Sequence, residues 1–151
     1  MPPPTRTRTA DASWDTGGVE QLETFYDLVG GHETFVKLVD AFYVGVAQDP
    51  VLRPMYPEGD LEPAVERLRL FLEQYWGGPT TYSDRRGHPR LRARHSPFPI
   101  DEDARDRWLK HMRVAVGTLE LHPLAQSTLW NYLEGAANSM VNIAPAPATQ
   151  E

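Results

Sequence analysis

Between about residue 21 and residue 144 the apolar positions recur three and four apart and no alternating run marks a strand, so the pattern predicts an all-α domain. Thr24 is placed to cap a short helix beginning at Phe25 and Tyr26. Gly30 and Gly31 stop it, because glycine accepts the left-handed backbone that helix ends use. A second helix, roughly 33–47, carries Phe35, Leu38, Val39, Phe42, Tyr43 and Val46 along one stripe until Asp49-Pro50 ends it. Tyr43 is therefore expected on the buried side. The segment VLRPMYP holds Met55 and Tyr56 between two prolines, as a turn or a single helical turn. Asp60 is the expected N-cap of a third helix, with Pro63 in its first turn and Ala64, Leu68, Phe71 and Tyr75 facing inward. Gly77-Gly78-Pro79 closes it. From Pro79 to Pro99 glycine, proline and arginine interrupt the periodicity, and only PRLRARH reads as helical. Asp101 then caps a long helix whose inward face is Trp108, Met112, Ala115 and Leu119, with Glu102 and Asp103 at its positive end. Pro123 opens a last helix with Leu129, Leu133, Ala136 and Met140 turned inward.

The ends differ from this middle. Residues 1–20, with Pro2, Pro3 and Pro4 followed by small and polar residues, offer almost nothing to a core and read as a disordered arm. PAPATQE, residues 145–151, reads as a flexible tail. A chain of 151 residues then leaves one folded domain, 21–144, large enough to stand without disulfides or a structural metal. It contains no cysteine, which removes disulfides, thiolate zinc sites, iron–sulfur clusters and a cysteine nucleophile. No run approaches the roughly 18 apolar residues of a membrane span, and the first residues lack the apolar core of a signal peptide. The expectation is a cytoplasmic protein with no integral membrane span.

Charge changes the picture in one place. The net charge is −6, which argues against nucleic acid as a partner, yet five arginines fall in the ten residues from Arg85 to Arg94. That loop is a solvated basic surface or the wall of a site for an acidic ligand. It closes on His95, which has Leu91 one turn before it and Phe98 three residues after, and Pro97 and Pro99 stiffen the chain beyond. Zinc fits poorly, since there is no HExxH pair and His88 and His95 are separated by Pro89 and seven positions. A single histidine suffices for a metal that brings its other ligands, as iron does in haem. Haem also carries two carboxylates that call for cations, and Arg94 and Arg67 are the better placed candidates than Arg85 and Arg86. Tyr43, Tyr56 and Trp108 add polar aromatics at inward positions. Each alone reads as core with one hydrogen bond; together they are donors for a small ligand that gathers negative charge.

With these residues in view, FYDLVGG, RLFLEQYWGGPTTYS and RGHPRLRARHSPFPI make the chain from about Phe25 to Asn142 resemble the group II truncated haemoglobins, in particular their actinobacterial members. The resemblance implies a two-over-two helical sandwich binding one haem b per chain, with His95 as the iron ligand. It implies Tyr43, Tyr56 and Trp108 as the distal hydrogen-bonding cluster and Ala64 where many globins have a distal histidine. Leu68 and Phe71 would lie against the haem, and Arg67, Tyr82 and Arg94 would meet its propionates. Leu91, Phe98 and Met112 complete the implied cofactor contacts. O2, CO, NO, sulfide and peroxide are the implied ligands, oxygen binding or oxygen transport the implied role, and a homodimer is compatible with it. A haem-dependent peroxidase, an NO dioxygenase or a sulfide-binding redox protein is the enzymatic alternative, and each needs an electron-donating reductase. A helical module whose arginine loop grips an acidic partner is the alternative without haem.

Overall fold

Thr24 opens the first helix with a reciprocal cap: its hydroxyl accepts from the Asp27 N–H at 3.1 Å while the Asp27 carboxylate meets the Thr24 N–H at 3.5 Å. This holds α1, Phe25–Leu28, in a computed structural model that describes residues 23–57 and 59–143. The arm expected over 1–20 and the tail expected over 145–151 lie outside the described residues. Gly30 and Gly31 sit at φ of 114° and 68°, backbone that side chains with a Cβ avoid, and Gly31 becomes the N-cap of α2, His32–Ala47. Phe35, Leu38, Val39, Phe42, Tyr43 and Val46 are buried along α2, on the stripe that the spacing predicts.

A 3₁₀ turn, Arg53–Met55, precedes α3, Glu62–Tyr75. Asp60 does not cap α3 directly. Leu61 takes the N-cap position, and the Asp60 carboxylate accepts the Glu62 N–H at 3.0 Å, one step earlier in the turn. Tyr75 also departs from the expectation: at the C-terminal end of α3 it is 50% exposed and stacks flat on Tyr132, with ring centroids 3.9 Å apart. The segment after Pro79 contains a helix that the pattern does not show, α4, Thr81–Arg86. It has one buried residue, Tyr82, and is ordered by tertiary bonds: the Gln74 side chain accepts the Ser83 N–H at 2.9 Å and donates to its hydroxyl at 2.7 Å. The short α5, Leu91–His95, follows as predicted.

The Asp101 carboxylate accepts the Ala104 N–H and starts α6, Glu102–Gly117, while Pro123 occupies the first turn of α7, Pro123–Met140. Helix α2 packs on α3 and on α6, and α6 packs on α7, which makes two helix pairs joined across α2 and α6. The core at these contacts includes Phe35, Phe42, Leu72, Met112 and Leu129, each at most 1% exposed. No strand occurs among the described residues, and none of their helices is long and apolar enough to cross a membrane.

Candidate functional site

The two helix pairs, α4 and α5 enclose a cavity of about 440 Å³. Its wall takes Tyr43 from α2, Ala64, Arg67, Leu68 and Phe71 from α3, Tyr82 from α4, and Leu91, Arg94 and His95 from α5. Phe98 and Trp108 also line it, as does Tyr56 after the 3₁₀ turn. All but one of the residues singled out from the sequence therefore meet in one place. The exception is Met112. The cavity-facing positions of α6 lie in its first two turns, Ala104, Arg105 and Trp108, and Met112 one turn further is packed wholly within the core.

His95 sits on the last turn of α5 and is partly buried. Its Nδ1 lies 2.7 Å from the carbonyl oxygen of Leu91, one turn back. A carbonyl only accepts, so Nδ1 carries the proton of this bond, and in the neutral ring the lone pair that a metal ligand needs is on Nε2. The loop beyond is tied to the end of α7. The Asn142 side chain donates to the carbonyls of His95 at 3.3 Å and Phe98 at 2.9 Å and accepts the Ile100 N–H at 2.9 Å.

The aromatic groups form a continuous row. Tyr56 and Tyr43 meet edge to face at 5.6 Å, Tyr43 and Phe42 at 4.9 Å, and Phe42 and Trp108 at 5.1 Å. Such contacts fix ring planes, and with them the direction of the indole N–H and the positions of the phenol oxygens.

Arg94 has a different arrangement from the one its position beside His95 suggests. Its Nε donates to the Pro89 carbonyl, and Nη2 donates to the carbonyls of Arg86 at 2.9 Å and His88 at 3.3 Å. The guanidinium lines the cavity while these bonds wrap the loop 86–94 around it, so its first role is to shape the loop. Arg94 and Arg86 also lie over the Tyr82 ring, at 5.8 and 5.7 Å.

Several wall residues lie outside the set that the sequence pattern points to. Arg105 and Ala104 stand three and four positions before Trp108, a spacing that places them on its face of α6. Tyr132 stands four before Ala136 and eight before Met140, and all three line the cavity from α7. Burial first, and then the neighbouring Tyr75, push the Tyr132 hydroxyl up to about 12, so it remains a neutral donor at any ordinary pH. Leu52, Met55 and Pro57 also line the wall, from a segment too short to show periodicity.

The wall is mostly apolar, four guanidinium groups reach it, Arg67, Arg86, Arg94 and Arg105, and no carboxylate among the described residues lines it. No group of three or more His, Cys, Asp or Glu among those residues is placed to hold a metal ion unaided. A flat apolar molecule with acidic substituents, bearing a metal that accepts one imidazole, matches this donor set.

Comparisons with known proteins agree with that chemistry. Residues 24–142 match the sequence profile of the family described as bacterial-like globin. A group 2 truncated haemoglobin of Bacillus subtilis, YjbI, is 43% identical over 112 residues, 74% of this chain and 84% of the relative. The X-ray structure of a thermostable haemoglobin from the actinobacterium Thermobifida fusca is 63% identical, with a TM-score of 0.80 over 82% of this chain and all of that one. The truncated oxygen-avid haemoglobin of Bacillus subtilis is 41% identical, with a TM-score of 0.75 over 80% of this chain and all of that one.

Proposed function

From a chain that belongs to the bacterial-like globin family, as a group II truncated haemoglobin, we propose that this protein holds haem b through His95 and binds O2 and other small ligands under the Tyr43, Tyr56 and Trp108 donors. When bound, one haem per chain supplies an iron able to take O2, CO, NO, sulfide or peroxide. The observation that carries the reading is the commitment of His95 Nδ1 to the Leu91 carbonyl on the wall of an apolar cavity. It leaves Nε2 as the ring nitrogen available to a metal on that wall and fixes the plane of the ring.

The other residues divide the work by chemistry. Leu68, Phe71, Leu91 and Phe98 give apolar faces, and Arg67, Arg86, Arg94 and Arg105 offer cations to two propionates, with Tyr82 on the same wall. Ala64 is too short to donate to a ligand, so stabilisation falls to the indole N–H of Trp108 and the hydroxyls of Tyr56 and Tyr43. Hydrogen bonds to a group that gathers negative charge are worth about 1.5 to 3 kcal/mol each, roughly tenfold to a hundredfold in release rate. Three converging donors therefore favour retention of the ligand, as in an oxygen-avid protein, over bulk oxygen transport.

The test is direct. Haemin added to the haem-free protein is expected to saturate at one per chain. Trp108→Phe and Tyr56→Phe are each expected to raise the O2 dissociation rate of the ferrous protein roughly tenfold or more. Unchanged dissociation in both variants would show that these side chains do not act on the ligand.

A further inference from the structure

Behind the row of cavity aromatics lies a charged cluster that lines no part of the cavity wall. Asp49, only 6% exposed, follows the C-terminus of α2. One carboxylate oxygen accepts the N–H groups of Val51 at 2.9 Å and Leu52 at 3.1 Å, and Arg107 Nη1 lies 3.3 Å from the same atom. The other accepts from His111 Nε2 at 2.7 Å. Both the neutral Nε2–H tautomer and the imidazolium carry the proton this bond needs.

The cluster joins the 51–56 turn and α6 through polar bonds, in addition to the ring contacts between them. Val51 and Leu52 begin the turn that delivers Met55 and Tyr56 to the cavity, and the Arg53 N–H on the same turn donates to the Asp49 backbone carbonyl at 2.9 Å. Arg107 and His111 flank Trp108 on α6, one residue before it and three after it. The close approach of α2 to α6 here depends on Gly45, where a Cβ would stand 2.3 Å from His111 Nδ1. We propose that Asp49 is a positioning residue for ligand binding: by holding the 51–56 turn and α6 to one carboxylate, it sets the distance between the Tyr56 hydroxyl and the Trp108 indole N–H.

The physical reason is that hydrogen bonds weaken steeply with misalignment, so donors on two separate elements act on one small ligand only while those elements keep their registration. Aromatic edge contacts fix ring planes but tolerate sliding, whereas a buried carboxylate with four donors does not. Arg107 is held on its exposed side as well, where Nε donates to the Asp103 carboxylate at 2.9 Å.

The inference rests on the haem reading, and the two fail differently: without haem binding the wild-type protein shows no haem spectrum, before any variant is compared. In the haem-loaded ferrous protein, Asp49→Ala is expected to raise the O2 dissociation rate about tenfold and to shift the C–O stretching band of the CO-saturated form, with the ligation spectrum of His95 unchanged. In a Trp108→Phe/Tyr56→Phe background the same substitution is expected to change the rate less than about twofold, because the groups through which it acts are gone. His111→Leu opens the clamp from the α6 side and gives the same pattern if Asp49→Ala does not fold. Wild-type rate and band in the folded variants, or an effect of equal size with and without Trp108 and Tyr56, would overturn the proposal.

Discussion

Asp49 and Gly45 show how single positions support a site they do not line. Burial alone would raise the Asp49 carboxyl, but the hydrogen bonds from His111, Leu52 and Val51 and the charge of Arg107 outweigh it and hold the group at about 2 against an ordinary 3.8. The folded value is the lower one, so the stabilisation is present above about pH 4 and is lost as pH falls towards 2. Urea unfolding of the haem-free protein between pH 2 and 6 is expected to show about 2 kcal/mol of acid-dependent stability that Asp49→Asn lacks. Gly45 reverses a common rule. Alanine in place of a glycine within a helix usually stabilises, by up to about 0.5 to 1 kcal/mol. At Gly45 the added Cβ would meet the His111 ring at 2.3 Å, and that ring is held by Asp49. Gly45→Ala is expected to lower stability by about 1 to 3 kcal/mol, read as a fall in the urea midpoint with an unchanged slope.

At the scale of elements, what the sequence made legible follows from how each element is stabilised. Helices α2, α6 and α7 bury an apolar stripe, and a stripe is visible as spacing, so Phe35 to Val46 and Leu129 to Leu133 were placed from the pattern alone. Helix α4 buries only Tyr82 and depends on Gln74 reaching Ser83 across nine residues, a tertiary bond that leaves no periodic trace. The same limit explains Met112 and Tyr75. Helical spacing says that a residue faces inward, but it does not say whether the interior at that turn is core, as for Met112, or helix end, as for Tyr75. The arginine loop stands out by charge, yet charge does not show the bonds of Arg94 to the Arg86, His88 and Pro89 carbonyls. Asn142 belongs here too, because it clasps the His95–Ile100 segment from 42 to 47 positions away. Asn142→Ala is expected to leave the helices intact and to speed loss of haem to an acceptor apoprotein roughly fivefold, through the loss of hydrogen bonds worth about 1 kcal/mol each.

For the whole molecule, the two helix pairs supply Tyr43, Arg67, Arg105 and Trp108 to the cavity and also bring short, irregular pieces to it. The 51–57 turn, α4 and the 86–100 segment carry much of the wall, and each is held by a polar side chain from elsewhere: Asp49, Gln74 and Asn142. Fold and family were legible because regular helices and dense motifs carry them. The supports of the site were not, since each is one polar residue acting over a long sequence separation. The central claim is that His95 Nε2 holds the cofactor, and it is tested most directly by His95→Gly with and without added imidazole. The account predicts that the ferrous absorption spectrum of histidine ligation disappears in the variant and returns when imidazole fills the space. A His95→Gly protein that keeps the wild-type spectrum without imidazole would contradict it.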